Sequence, residues 1–207
     1  MHRRFFLSAS ILSLCVAGTA FARGVDVDKV NGSIHIESGQ QAGDVSTVNG
    51  SIRIADGASA AKASTVNGGI ELGEHSSVDS LETVNGGITL GAGAKVARTV
   101  EAVNGSVLLD SGAEIAGHAS NVNGRFTLDA AHVGGGIETV SGDIEVGANS
   151  RVEGGILVDK QHGWSWGNRK PRIVIGPHAV VQGTLEFRRE VELFVSDSAT
   201  IGTVTGA

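Results

Sequence analysis

The chain has 207 residues, a formal net charge of −6, 31 Gly, 2 Pro, 1 Cys, 6 Phe, 2 Trp and no Tyr. Its 41% hydrophobic content recurs in register, which excludes a disordered Gly-rich tract. A single cysteine excludes a disulfide framework, and the acidic balance argues against nucleic acid as a partner.

The first segment, residues 1–22, has the layout of a secretory signal peptide. His2-Arg3-Arg4 supplies a basic start, Phe5 to Gly18 an apolar run, and Ala20-Phe21-Ala22 a small-x-small cleavage site. Cys15 lies inside the apolar run, with Leu14 where a bacterial lipidation motif wants a small residue. Removing the segment with Arg3 and Arg4 leaves 14 basic against 22 acidic side chains, a net charge of −8, and no cysteine. No later apolar stretch is long enough to span a bilayer. The sequence therefore predicts an exported protein of the periplasm or cell surface, with no transmembrane segment after signal removal.

Residues 23–158 are organised by a recurring tripeptide. Val30-Asn31-Gly32 returns at Val48, Val66, Val84, Val103 and Val122, and Val140-Ser141-Gly142 is a variant. A fixed period near 18 residues is the mark of a repeat architecture. Within it, aliphatic residues fall six apart, as in Val48, Ile54, Ala60, Val66, Leu72 and Val78. Helical three-and-four spacing is absent, and runs such as Ser51-Ile52-Arg53-Ile54 alternate as half-buried strands do. Three six-residue sides per turn predict an all-β fold, a single-stranded parallel β-helix of triangular section with about 18 residues per coil. Right-handed winding is favoured over left-handed by the general crossover preference. Parity counted from Val30 places Val30, Ile34 and Ile36 inside, with Asn31, Ser33 and His35 outside. Asn31, Asn49, Asn67, Asn85, Asn104 and Asn123 then lie above one another, and their amides can hydrogen-bond along the axis as a structural ladder.

Residues 159–172 interrupt the rhythm. This insertion carries Trp164, Trp166, Arg169, Lys170 and Arg172, which the repeat does not require. Aromatic faces beside cations suit a glycan ring, a lipid headgroup or another subunit, so the segment is a candidate binding loop. The alternative is that its rings fold back over the solenoid. Residues 173–207 resume the beat and are read as final coils and a C-terminal cap.

The run Ile175-Gly176-Pro177-His178-Ala179-Val180-Val181-Gln182-Gly183-Thr184-Leu185 resembles the bactofilins, polymer-forming β-helical scaffold proteins of bacteria. The units at 65–70 and 83–88, Thr-Val-Asn-Gly-Gly-Ile, and Thr-Val-Ser-Gly-Asp-Ile at 139–144, resemble more closely a secreted β-strand-repeat adhesin-like family of unknown function. Both resemblances imply a β-helical scaffold and bring no catalytic residues.

Other chemistries find weaker footing. The six-residue beat is also similar to that of hexapeptide acyltransferases, for which His118, His132 and His178 are the candidate bases, none with an acidic partner at a readable spacing. The acids, Asp44, Asp56, Glu71, Glu74, Asp79 and Glu82 among them, do not recur at 18 residues as a lyase, hydrolase or calcium repeat would need. Thr47, Thr65 and Thr83 form a column of the kind that binds ice on some solenoids. The expected function is a non-enzymatic exported structural or adhesin-like element of the bacterial envelope, without cofactor or metal, self-associating end to end. A glycan- or surface-binding module acting through the Trp164/Trp166 loop is the alternative.

Overall fold

A computed structural model of the protein describes residues 24–160 and 169–206. Residues 1–22, read above as a signal peptide and including Cys15, lie outside the described residues. Among those described, every regular element is a strand, and every pairing is parallel between successive turns of a β-solenoid.

One face is a stack of nine short strands, running from Ile34–Ile36 through Ile88–Leu90 to Glu192–Val195. All but the last present two buried apolar side chains inward with one residue outward between them, so Ile52, Ile70 and Ile88 sit in register, followed by Val107 and Phe126. At the usual strand spacing of about 4.8 Å, nine turns make a rod roughly 43 Å long.

A four-residue turn follows most of these strands, shortened to three residues, 129–131, after Arg125–Leu128. Typically the amide of its fourth residue donates to the carbonyl of its first, as Ala58 does to Ala55 (3.0 Å) and Ala94 to Gly91 (3.0 Å). After the first turn, whose fourth residue is the exposed Gln40, this position is small and buried in Ala58, Ala94, Ala113 and Ala179, with Ser76 and Ser150 as polar substitutes. Ser76 satisfies its hydroxyl on the Gly73 carbonyl at 2.8 Å, as a buried donor must.

The remaining two faces are covered in the early turns by one long strand bent at its middle: Ala42–Asn49, Ser59–Asn67, Ser77–Asn85 and Lys95–Asn104. The bend changes at a single inserted residue. Val78 pairs with Val96, but Ser80 pairs with Thr99, so one extra residue enters at 97–98. In later turns the widened corner divides the strand in two, giving Glu114–Ile115 and His118–Asn123, then His132–Val133 and Gly136–Thr139.

The core is aliphatic, built from Ile, Val, Leu and Ala, with Phe126 and Phe187 as its buried aromatics. Two of the three six-residue positions are inside as the periodicity predicts, for example Ile54, Ala60, Leu72 and Val78. The third is not. Val30, Val48, Val66, Val84, Val103 and Val122 are 39–67% exposed. The bend between the two halves of the long strand explains this correction. Ala42 and Gly43 are both buried across it, and inward parity restarts at Val45 and Thr47. One residue consumed by the bend turns the following valine outward.

Candidate functional site

The Val-Asn-Gly corner is the most repeated feature of the surface. Asn49 donates its amide to the Asn31 carbonyl oxygen at 3.0 Å, Asn67 to Asn49 at 2.9 Å, and Asn85 to Asn67 at 3.0 Å. Asn104 and Asn123 continue the ladder at 3.2 and 3.0 Å, bridging turns one residue longer. Behind it, the Thr47, Thr65 and Thr83 hydroxyls donate to the carbonyls of Gly32, Gly50 and Gly68 at 2.8–3.1 Å. These threonines are 3–4% exposed, so they cannot form an ice-binding surface. Asn121 takes the threonine position in a later turn and accepts a 2.6 Å bond from Thr139. The corner is thus a clasp made of an outer amide ladder and an inner hydroxyl row.

Next to this clasp a trough of ≈ 730 Å³ runs along the rod. Its floor is the backbone of the threonine column. One wall is the exposed valine row; the other is the in-register row Ser46, Ser64, Glu82, Glu101, Ser120 and Glu138. Three of those wall residues are acidic, a partial column that a fixed 18-residue count from sequence does not reveal.

The three histidines singled out in sequence are dispersed. His118 lies at the trough, its Nε2 3.5 Å from Glu138. His132 sits on the neighbouring face between Glu114 (3.7 Å) and Glu153 (3.4 Å). His178 occupies the third position of a four-residue turn with φ of 57°, as does His75 with 53°. Two of the candidate bases therefore do have acidic neighbours, contrary to the spacing argument. Glu114 stands one 18-residue period before His132, directly in register with it, and Glu138 lies two residues beyond the position in register with His118. Among the described residues, no group of three or more His, Cys, Asp or Glu could hold a metal ion.

Trp164 and Trp166 of the candidate binding loop lie outside the described residues. Its cations do not, and each is engaged where the insertion rejoins the solenoid. Arg169 forms an ion pair with Asp143, and the Arg172 amide donates to the same carboxylate at 2.9 Å. Arg125 adds a third cation at 3.7 Å. Lys170 pairs with Glu190 at 2.9 Å, and the Arg172 guanidinium lies 4.7 Å above the Phe194 ring. Arg189 ties the segment back to the corner, donating to the carbonyls of Val140 and Arg169 at 3.1 Å each. Sequence reasoning missed Asp143, the hub of this arrangement: Arg125 stands one period before it, but Arg169 and Arg172 reach it across the insertion, 26 and 29 residues away.

Burial works to raise the Asp143 pKa, but the Arg172 amide, the Arg169 guanidinium and Arg125 together outweigh it and hold the carboxyl below its ordinary range. A depressed folded pKa contributes stability that is present above the unfolded value, near pH 4, and is lost as pH falls through the folded one. Thermal unfolding should therefore show wild type more stable than Asp143→Asn at neutral pH. That gap should narrow as the pH falls below the unfolded value and close once it has passed the depressed folded one.

Comparison with protein-family models, with curated proteins and with solved structures returns no match for this chain. The fold alone defines its class, a parallel β-solenoid repeat protein.

Proposed function

We propose that the protein is a non-enzymatic structural or adhesin-like rod of the bacterial envelope, exported through its N-terminal segment and assembling end to end. The observation that carries the reading is the unpaired strand edge at each end of the described residues. The first described strand, Val25–Asn31, pairs on one side only, and Val25 is 80% exposed. At the other end Glu192–Val195, Thr200–Ile201 and Val204–Gly206 pair only with the turn before them.

The two ends also match. Leu193 and Val195 belong to the same inward columns as Ile34 and Ile36, and Val204 to the column of Val27. A second copy set on the last turn continues the columns of Leu193, Val195 and Val204 with Ile34, Ile36 and Val27, whereas the Phe187 column ends at Gly206 and resumes at Lys29. Unpaired strand edges recruit further strands, and a head-to-tail contact that does not close generates an open filament. The paired and laddered outward side chains suit a scaffold whose surface chemistry is largely devoted to holding turns together.

Light scattering with electron microscopy on purified protein tests this. Filaments should lengthen with concentration in units of one rod, about 43 Å. Val25→Lys combined with Val204→Lys should leave the β spectrum intact and abolish growth. Discrete monomers at every concentration would end the proposal.

A further inference from the structure

The flank of the rod carries a feature that end-to-end assembly does not use. Val48, Val66, Val84, Val103 and Val122 stand at 39–41% exposure in an unbroken row, and a trough lies beside them along the same axis. Burying these side chains elsewhere would be favourable, and selection for solubility alone would place polar residues there. Row and trough are both one side chain wide, since residues two apart on a strand stand about 7 Å apart. They repeat at the same rise per turn. A ridge beside a trough of equal width and pitch is complementary to itself.

The polar rows decide how two such flanks would face. Across the surface the order is carboxylate and hydroxyl row, trough, valine row, Asn ladder. A two-fold axis perpendicular to the rod would set Glu82, Glu101 and Glu138 opposite the same row of the partner, like charge on like. A two-fold axis parallel to the rod reverses the order. It seats each valine ridge in the other copy's trough and places the acidic row opposite the Asn ladder. Each ladder amide uses one of its two hydrogens on the Asn of the preceding turn and has a second to donate. Glu82 has the Lys62 ammonium beside it at 2.6 Å and Glu138 the His118 imidazole at 3.5 Å, and a carboxylate has further acceptor capacity. Glu101 has no ion pair among the described residues.

We propose that this flank is a self-recognition surface, on which two copies of the chain lie side by side and parallel with their valine rows interdigitated as in a steric zipper. The pairing uses the flank and leaves the ends free, so it stands or fails apart from end-to-end growth. The contact covers roughly 30 Å by 12 Å on each copy, below the ~800 Å² per partner of a standard interface. It is therefore weak between single rods and is strengthened by repetition when rods are aligned.

Sedimentation of the full chain at increasing concentration should show a dimer whose dissociation constant rises at least tenfold in Val84→Lys/Val103→Lys. Both side chains are already partly in solvent, so this variant should keep the wild-type melting curve. In Val25→Lys/Val204→Lys, which blocks the ends, the side-by-side dimer should persist. Orientation is read from Ser46→Cys in a Cys15→Ser background with a bifunctional maleimide of about 10 Å reach. Parallel pairing sets the two introduced thiols at the same height, offset across the flank by the three residues from 46 to 49, about 10 Å and within that reach. Antiparallel pairing about the middle of the row separates them by about five turns, ~24 Å. Three results would overturn the proposal: no dimer at millimolar concentration, a dimer indifferent to the lysines, or a dimer that does not cross-link through position 46. Saturable binding of a basic apolar peptide by a chain that stays monomeric would assign the trough to a different partner and also overturn it.

Discussion

Gly105→Ala is expected to destabilise the solenoid by about 3 kcal/mol, the upper end of ordinary overpacking, although it adds only one methyl group at the surface. A Cβ built on Gly105 would stand 1.7 Å from the Gly86 carbonyl oxygen and 2.5 Å from its carbon. Those atoms are backbone of the turn beneath and cannot rotate away. The stack depends on that closeness, since the Gly86 amide donates to Asn104 at 3.1 Å and the Gly105 amide to Asn123 at 2.9 Å. The methyl must therefore lift one turn off the next and weaken the Asn ladder on either side. Gly57→Ala is the comparison. Its φ of 66° is the left-handed region, but nothing lies within 4 Å of the added carbon. Strain alone costs roughly 1–2 kcal/mol there. His75, Asn149 and His178 already occupy equivalent turn positions with φ of 53–59°. Urea unfolding of the two variants should rank them in that order; equal midpoints would show that inter-turn crowding at the corner does not control stability.

The contrast also shows which parts of the molecule can be read from sequence. The 18-residue period, the short Ile-x-Ile strands and the stacked asparagines are legible because every turn repeats them, and repetition turns a local pattern into a register. The orientation of Val48 and Thr47 is not. It depends on one residue absorbed at the bend near Gly43, and Ala42 and Val45 look the same in the pattern whether the chain bends between them or runs straight. The error has a functional cost, because it hides the valine row inside an imagined core and puts the threonines on an imagined surface. Cross-turn partners are hidden for a related reason. Glu138 lies beside His118 as a diagonal neighbour, two residues past the in-register position, and Asp143 meets Arg169 across the insertion, whose length the count alone does not place. The trough is invisible from sequence because its floor is backbone and its two walls come from six different turns.

Phe126→Ala is expected to cost about 3–5 kcal/mol and to change the manner of unfolding as well as its midpoint. Phe126 is fully buried and is the largest such side chain in the core. It stands in register with Val107 on the turn before and Ile144 on the turn after. Truncating it leaves a void shared by three turns, whose outlines are held by hydrogen bonds to their neighbours and can close only in part. In a solenoid each turn touches only the next, so stability is passed along the rod as a chain of nearest-neighbour contacts. A break in the middle uncouples the turns before it from those after it, and two-state unfolding should give way to two transitions. Hydrogen exchange should locate the loss in Val107–Leu109, Arg125–Leu128 and Asp143–Val146, with Ile52–Ile54 still protected. Phe126→Leu, which refills most of the volume, should cost under about 1.5 kcal/mol and restore a single transition. If Phe126→Ala instead unfolds in one step with uniform loss of protection, the rod behaves as one cooperative unit. Its ends would then be held by something stronger than contact between adjacent turns.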